Sequence, residues 1–239
     1  MKILVVNDDS IHAPGIAYLA EAAAELGEVW VVAPDEQCSA LSQKLTLREA
    51  LTVEKVKDFP APVKAAYQIG GTPVDCVKVA LDYILKEKPD LVLSGINNGY
   101  NVGFDIAYSG TLGAAFEAAR HGIPAIALST ARESHLPYAQ PYLVSILGEL
   151  IREKQERWCV WNVNFPAMIA DGHKGIRWNC PVATTSLYRE KYIETGNSEG
   201  KVTLHNQGIP TGNDRIQDGT DAAAVRNGYI AISKVKCVY

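Results

Sequence analysis

The chain has 239 residues, 47% hydrophobic and 21% charged, with a formal net charge of -4. That length is enough to bury one sizeable core, and the slightly acidic balance gives no electrostatic reason to expect a nucleic-acid polymer or an anionic membrane as partner. No stretch reaches the roughly 18 consecutive apolar residues of a membrane span, Met1-Lys2 leads straight into strand instead of a signal segment, and the five cysteines form no Cys-x-x-Cys pair, so a cytoplasmic protein with reduced thiols is expected.

The first predicted element follows Lys2, where the apolar run Ile-Leu-Val-Val stops at Asn7, Asp8, Asp9 and Ser10. Such a run reads as a buried parallel strand, and open α/β sheets bind their ligands outside the carboxyl ends of such strands. Two adjacent carboxylates there raise each other's pKa and call for a compensating cation or donors. Gly15 to Leu26 has helical spacing and Gly27 stops it; Val29 to Ala33 is a second apolar strand, which completes a βαβ unit. The polar loop Glu36 to Lys44 carries Cys38, Ser39 and Ser42. Leu45 to Val56 and Val63 to Ile69 are read as short strands around a Pro-containing turn.

Thr72 is expected to cap a helix that has Pro73 in its first turn and Val74, Val77, Leu81 and Ile84 along its buried stripe. Asp90 to Ser94 is the next strand, and its exit, Gly95 to Gly103, is dense in Asn and Gly and presents Asn97 and Asn101. Tyr108-Ser109-Gly110-Thr111 then opens an Ala-rich helix to Arg120, whose small first residues leave N–H groups accessible to an anion. Ala125 to Ser129 is a strand, Pro141 to Gln155 an amphipathic helix, and Val160 to Val163 is expected to close the main sheet, with Asn162, Asn164 and Pro166 at its end. From Asp171 the pattern changes to short strands, including Gly175 to Asn179, Lys201 to Leu204 and Tyr229 to Ser233, with Trp178, Tyr188 and Tyr192 among the exposed candidates.

The expected fold is therefore α/β, a Rossmann-like and mostly parallel sheet flanked by helices, with a strand-rich C-terminal excursion or arm. One domain spans 1–239, its core at about 1–170 and its arm at about 171–239; an exchanged arm is a low-cost route to a symmetric dimer. The loops of Asp8 and Asp9, Ser39, Asn97 and Ser109 should converge at the carboxyl edge. Their carboxylate, hydroxyl and amide oxygens are hard ligands suited to Mg²⁺, Mn²⁺ or Ca²⁺.

Taken in order, Asn7-Asp8-Asp9 with His12-Ala13-Pro14-Gly15, Val31 to Asp35, Gly71-Thr72-Pro73-Val74-Asp75-Cys76, Ser94 to Asn101, Tyr108-Ser109-Gly110-Thr111, Thr220-Asp221 and Gly228-Tyr229-Ile230 resemble the motifs of the SurE family of 5'-nucleotidases. The resemblance implies a metal-dependent phosphatase acting on nucleoside 5'- and often 3'-monophosphates, in some members on polyphosphate, assembled as a homodimer or homotetramer. It further implies one divalent cation on Asp8, Asp9, Ser39 and Asn97, and phosphate held by Asn101, Ser109, Gly110 and Thr111, with Asp8, Asp9 and Asn101 catalytic. Two positions depart from the family pattern: Ser10 and Ala40 stand where Gly is usual. Ser10 is read first as an N-cap of the following helix, since Ser is among the preferred caps, with a strained turn through positive φ and a hydroxyl that comes close to the metal as the alternatives. A nucleotide-binding sensor with impaired catalysis and a Rossmann-like glycosyltransferase are the competing readings. The second would need an acceptor domain for which the region after Asp171 is too short.

Overall fold

The computed structural model describes residues 1–167 and 172–237. Its centre is a nine-stranded sheet built from β1 (Lys2–Val6), β2 (Glu28–Pro34), β3 (Val53–Val56), β4 (Ala65–Ile69), β5 (Leu91–Asn98), β6 (Ala125–Thr130), β7 (Cys159–Phe165), β8 (Ile176–Arg177) and a last strand, Ile230–Lys236. The order is β3-β4-β2-β1-β5-β6-β7, then the last strand, then β8. From β4 to β7 every pair is parallel, whereas β3 runs antiparallel to β4 and the last strand antiparallel to β7. This is the α/β, mostly parallel, Rossmann-like architecture expected.

Both faces of the sheet are covered, which is why β1 is continuously apolar instead of alternating. Ile3 and Val5 pack with α1 (Pro14–Ala24) and, further along the same cluster, the apolar stripe of a long helix at Leu136–Arg152. Leu4 and Val6 face the opposite way, onto α2 (Pro73–Val79) and α3 (Gly110–Arg120); the long helix is α4. A third, smaller cluster joins Val102, Ala183, Leu187 and α5 (Asp221–Arg226). Among the described residues no helix is long and apolar enough to cross a membrane.

Several boundaries differ from the sequence reading. Residues 45–52 are not strand: Thr46 donates its N–H and hydroxyl to Asp75, and Thr72 donates to the Lys44 carbonyl, so the start of this stretch is fastened over the start of α2. Thr72 itself caps α2 as expected, in a reciprocal pair with Asp75. Helix α4 begins at Leu136, five residues before the expected Pro141, because Pro137 already supplies the first-turn proline; Pro141 lies inside it. Val160 to Val163 does not close the sheet. The last strand, β13 in the final count, pairs with β7 over six residues, from Ala231 opposite Asn164 to Lys236 opposite Cys159, and β8 adds beyond it. Part of the C-terminal excursion thus completes the central sheet. The rest forms small ribbons: β9 (Tyr188–Arg189) with β12 (Ile209–Pro210), and β10 (Tyr192–Ser198) with β11 (Lys201–Asn206). The change of pattern placed at Asp171 lies outside the described residues.

Candidate active site

Strand order decides where the site forms. The chain leaves β1 for β2 on one side, while β5 pairs with β1 on the other, so the crevice of this open sheet lies between the carboxyl ends of β1 and β5. Asp8 and Asp9 follow β1 directly, and β5 ends in Asn97 and Asn98. The two ends are tied together by the Asn98 N–H, which donates to Asp9 Oδ2 at 2.8 Å.

Asn97 lies within β5 instead of in the loop after it. Opposite β6, Ser94 pairs with Ala127 and Asn97 with Ser129, so β5 has one residue too many there, a bulge that contains Gly95 and Ile96. A cis peptide joins these two. The bulge lets pairing resume at Asn97 after the apolar run has ended, which is why periodicity stopped the strand at Ser94. Asn97 Nδ2 donates to the Gly99 carbonyl at 2.8 Å, leaving its Oδ1 as the free end of the amide.

Asp8 is 4% exposed and sits against the start of α3. The Thr111 hydroxyl donates to Asp8 Oδ1 at 2.6 Å, and the Thr111 N–H adds a further bond to the carboxyl. Burial nevertheless pushes the Asp8 pKa from 3.8 up to about 6, with the neighbouring Asp9 charge adding to the rise and the Thr111 hydroxyl opposing it. Asp9 is also raised, chiefly by burial, against bonds from the Asn98 N–H and the Gln37 side chain. Gly110 permits the approach of α3: a Cβ there would lie 2.9 Å from Asp8 Cβ and 3.0 Å from Oδ2.

Ser39 is brought in by its loop. The Cys38 N–H donates to the Asp8 carbonyl at 2.7 Å, and the Ser42 N–H donates to the Tyr108 carbonyl at 3.0 Å. The same loop rests on α3 at Gly113, where a Cβ would be 2.2 Å from the Ser42 carbonyl oxygen. Ser39 is exposed, its Oγ accepting from Gln37 Nε2 at 3.0 Å. Gln37 thus bridges Ser39 and Asp9.

Ser109 is the N-cap of α3, its Oγ accepting from the Leu112 N–H at 3.1 Å. Its hydroxyl hydrogen remains available. Thr111, fully buried, gives its hydroxyl hydrogen to Asp8 and accepts a 3.4 Å bond from Asn101 Nδ2. Asn101 Nδ2 also reaches Ser129 Oγ at 2.9 Å. The structure therefore gathers Asp8, Asp9, Asn97, Asn101, Ser109, Gly110 and Thr111 around one edge, with Ser39 joined to them through the Cys38 bond and Gln37. A family model described as Survival protein SurE matches residues 3–194.

The chain belongs to the SurE family. It is 38% identical to the 5'-nucleotidase SurE of Clostridium botulinum (strain Loch Maree / Type A3) over 98% of this chain and 92% of that protein. It is 39% identical to the 5'-nucleotidase SurE of Flavobacterium psychrophilum over 98% of this chain and 91% of that one. Among solved structures, the SurE protein from Aquifex aeolicus superimposes with a TM-score of 0.83 at 36% identity, covering 99% of this chain and 93% of that chain.

The donor chemistry of this SurE-family site fits a hard divalent cation. Two adjacent carboxylates, one buried, have no Lys, Arg or His in an ion pair with them among the described residues. Nor are three or more His, Cys, Asp or Glu side chains placed to hold a metal ion together among the described residues, so a cation here would draw on amide and hydroxyl oxygens as well. Asn97 Oδ1 and Ser39 Oγ are of that kind. Asn7 Oδ1, buried beside Asp8 and without a hydrogen-bond partner, is a further oxygen in need of one; Asn7 Nδ2 is engaged by the Ser10 carbonyl at 2.7 Å.

Both departures from the family pattern fall where the backbone turns through positive φ, at 96° for Ser10 and 58° for Ala40. Ser10 is not the helix cap that was expected: α1 starts behind Ala13 with no side-chain cap, and Ser10 Oγ accepts instead from the His12 N–H at 3.3 Å. A non-Gly residue at such a φ costs about 1 to 2 kcal/mol. Gly returns about 0.5 to 1 kcal/mol of that to the unfolded chain as entropy. Ser10→Gly is therefore expected to raise stability by about 0.5 to 1 kcal/mol, or a Tm gain of about 1 to 4 °C for a chain of this size. Paired thermal melts check this, and a variant melting at or below the parent rejects strain at Ser10.

Sequence reasoning gave no role to Ser129, Asn162 or Asn164, all buried near the carboxyl ends of β6 and β7. The available signal was two amides spaced by two in an otherwise apolar strand, which places both on one face.

Proposed function

We propose that this chain is a divalent-metal-dependent 5'-nucleotidase, hydrolysing nucleoside 5'-monophosphates to nucleoside and inorganic phosphate, with 3'-monophosphates and polyphosphate as further substrates. The observation that carries this reading is the pair Asp8 and Asp9 at the sheet's switch point, Asp8 packed against the N-terminus of α3 and neither having a basic partner among the described residues. The name 5'-nucleotidase SurE borne by relatives along nearly the whole chain supports it.

One Mg²⁺, Mn²⁺ or Ca²⁺ ion would be held by Asp8, Asp9, Ser39 Oγ and Asn97 Oδ1, and when bound it would lower the pKa of water and offset phosphoryl charge. The residues of the chain do the rest. The phosphoryl group lies at the start of α3, where the Ser109 hydroxyl and the Gly110 N–H donate to its oxygens. Asn101 Nδ2 exchanges its long 3.4 Å contact with Thr111 for a phosphoryl oxygen. Water attacks phosphorus as the ester P–O bond breaks; the carboxylate pair accepts the proton from the water, and the departing ribose oxygen is protonated from solvent.

The test is phosphate release from nucleoside monophosphates, polyphosphate and sugar phosphates with each cation and with chelator. Release from nucleoside monophosphates that chelator abolishes is expected, and saturating metal at about 100 times its Kd should add about 2.7 kcal/mol of stability. Absence of release with every cation would reject the nucleotidase in favour of a nucleotide-binding sensor.

We further propose that the chain is one domain, with a Rossmann-like core at about 1–170 and a remainder at about 171–239 that joins subunits into a homodimer or homotetramer. Every residue of β10 and β11 is exposed, including Tyr192 at 63%, Leu204 at 55% and Val202 at 47%. An isolated two-stranded ribbon is marginal in water, and apolar side chains clustered on one mark a contact surface. Light scattering at micromolar concentration should give a dimer or larger, and a monomer would reject this.

A further inference from the structure

We propose that Asn162 and Asn164 are positioning residues for the reaction, a clamp on β7 that holds the Asn101 peptide and so aims the Asn101 side chain, which meets Thr111 in the free protein and the phosphoryl group in the reaction. This deepens the nucleotidase reading and rests on it. Both side chains are buried, at 0% and 1% exposure, on the same face near the carboxyl end of β7. Burying an amide in a sheet is unfavourable unless its donors and acceptor are all used. Here three of their bonds go to Asn101 and a fourth joins the two amides to each other.

The Asn101 N–H donates to Asn164 Oδ1 at 2.8 Å, and the Asn101 carbonyl accepts from Asn164 Nδ2 at 3.1 Å and from Asn162 Nδ2 at 2.7 Å. Asn164 Nδ2 also reaches Asn162 Oδ1 at 3.3 Å. The orientation of Asn164 is forced, because a backbone N–H can only donate and must meet the amide oxygen. Asn164 therefore pairs with Asn101 as a neighbouring strand would, engaging its N–H and carbonyl together. Residues 99–102 have no helix or strand of their own, so this pairing supplies the order that secondary structure does not.

From the clamped peptide the bonds run in one direction. Asn101 Nδ2 donates to Ser129 and to Thr111 Oγ1, and Thr111, having one hydroxyl hydrogen, gives it to Asp8 Oδ1. The clamp thus joins β7 to the carboxylate that ends β1, across β5 and β6. An error in the Asn101 backbone would reach the groups proposed to meet the phosphoryl oxygens before it reached Asp9 or Asn97.

Asn164→Asp and Asn162→Asp test this. Each keeps the shape and the oxygen but replaces the donor to the Asn101 carbonyl with an acceptor, so the clamp repels where it held. The expected result is a fall in kcat of about 10- to 100-fold. KM should stay within about three-fold, the pattern for a contact that matters chiefly in the transition state. The Tm rise on adding Mg²⁺ or Mn²⁺ should persist. A purely structural role would lower Tm and leave kcat intact well below it. Parent-like kcat in folded variants, a loss confined to KM, or loss of the metal-induced Tm rise would overturn the clamp. Should the Asp variants not fold, Asn162→Ser removes one of the two donors to the same carbonyl and must still lower kcat by several-fold. A parent inactive on every nucleotide rejects the nucleotidase reading and this role with it, whereas an active parent with equally active variants rejects the role alone.

Discussion

Asp8→Asn is expected to abolish metal-dependent turnover and, in metal-free buffer at pH 8, to make the chain more stable than the parent. The loss should exceed the roughly 10- to 100-fold cost of disturbing a group that only supports a metal ligand. The gain follows from the sign of the Asp8 shift. A carboxyl with its folded pKa at about 6 against 3.8 unfolded holds its proton more tightly in the folded state, so its contribution is fully present below about pH 4 and is lost as pH rises through 6. Over that interval, at about 1.4 kcal/mol per pH unit, the metal-free parent loses about 3 kcal/mol, which a neutral amide of the same shape does not lose. Melting curves of parent and variant in chelator, at pH 4 and pH 8, should converge at the acid end and separate by up to about 3 kcal/mol at the alkaline end. Equal pH slopes would show that burial of Asp8 is not what opposes its charge. Saturating metal at about 100 times its Kd should close most of that gap, returning about 2.7 kcal/mol to the parent, because only the parent retains the full ligand set.

Gly110→Ala is expected to cost about 10²-fold in kcat, although alanine is the better helix former. Helix propensity offers at most about 1 kcal/mol at an interior position, and less in the first turn. Against it, the new methyl would lie 2.9 Å from Asp8 Cβ and 3.0 Å from its Oδ2, closer than side chains pack. Overpacking of this kind costs about 1 to 3 kcal/mol, so a net loss of stability of up to about 2 kcal/mol is expected. Asp8 is held by the Thr111 hydroxyl and cannot swing aside without breaking that bond, so the carboxyl or the whole end of α3 must move. Displacing a reacting group by about 1 Å commonly costs about 10²-fold. Gly148→Ala, in α4 where a Cβ meets nothing within 4 Å, is the control: it should gain stability and keep full turnover. Steady-state kinetics and melts of both variants check the pair, and a fully active Gly110→Ala would show that α3 does not fix Asp8.

Much of this was legible from residue order because its causes are local. The apolar run in β1 marks burial on both faces, Thr72 with Pro73 marks a helix start through the hydrogen bonds a first turn lacks, and the small residues after Ser109 mark a helix end that can be approached closely. Asp8 and Asp9 were conspicuous since adjacent carboxylates after an apolar strand require compensation from elsewhere. Residues 45–52 were misread as strand because Thr46 is taken up by Asp75, 29 residues beyond it in sequence, and no local pattern reports that bond. Ser10 was misread for a similar reason: its preference for capping is real, but the path from β1 to α1 places it three residues before the cap position, at φ 96°.

By itself the sequence determined the parallel α/β core, the chemistry of the oxygen donors and the loops that carry them, since hydrophobic period, turn residues and side-chain type are properties of neighbours along the chain. Tertiary structure alone decided the rest. Pairing of β13 with β7 placed part of the C-terminal segment inside the central sheet, the bulge in β5 carried Asn97 to its position, and Asn162 and Asn164 closed on Asn101 from more than 60 residues away. Each depends on which strands become neighbours, and that is set by burial of the whole chain at once, when a strand's partners are chosen by the faces the other elements leave open.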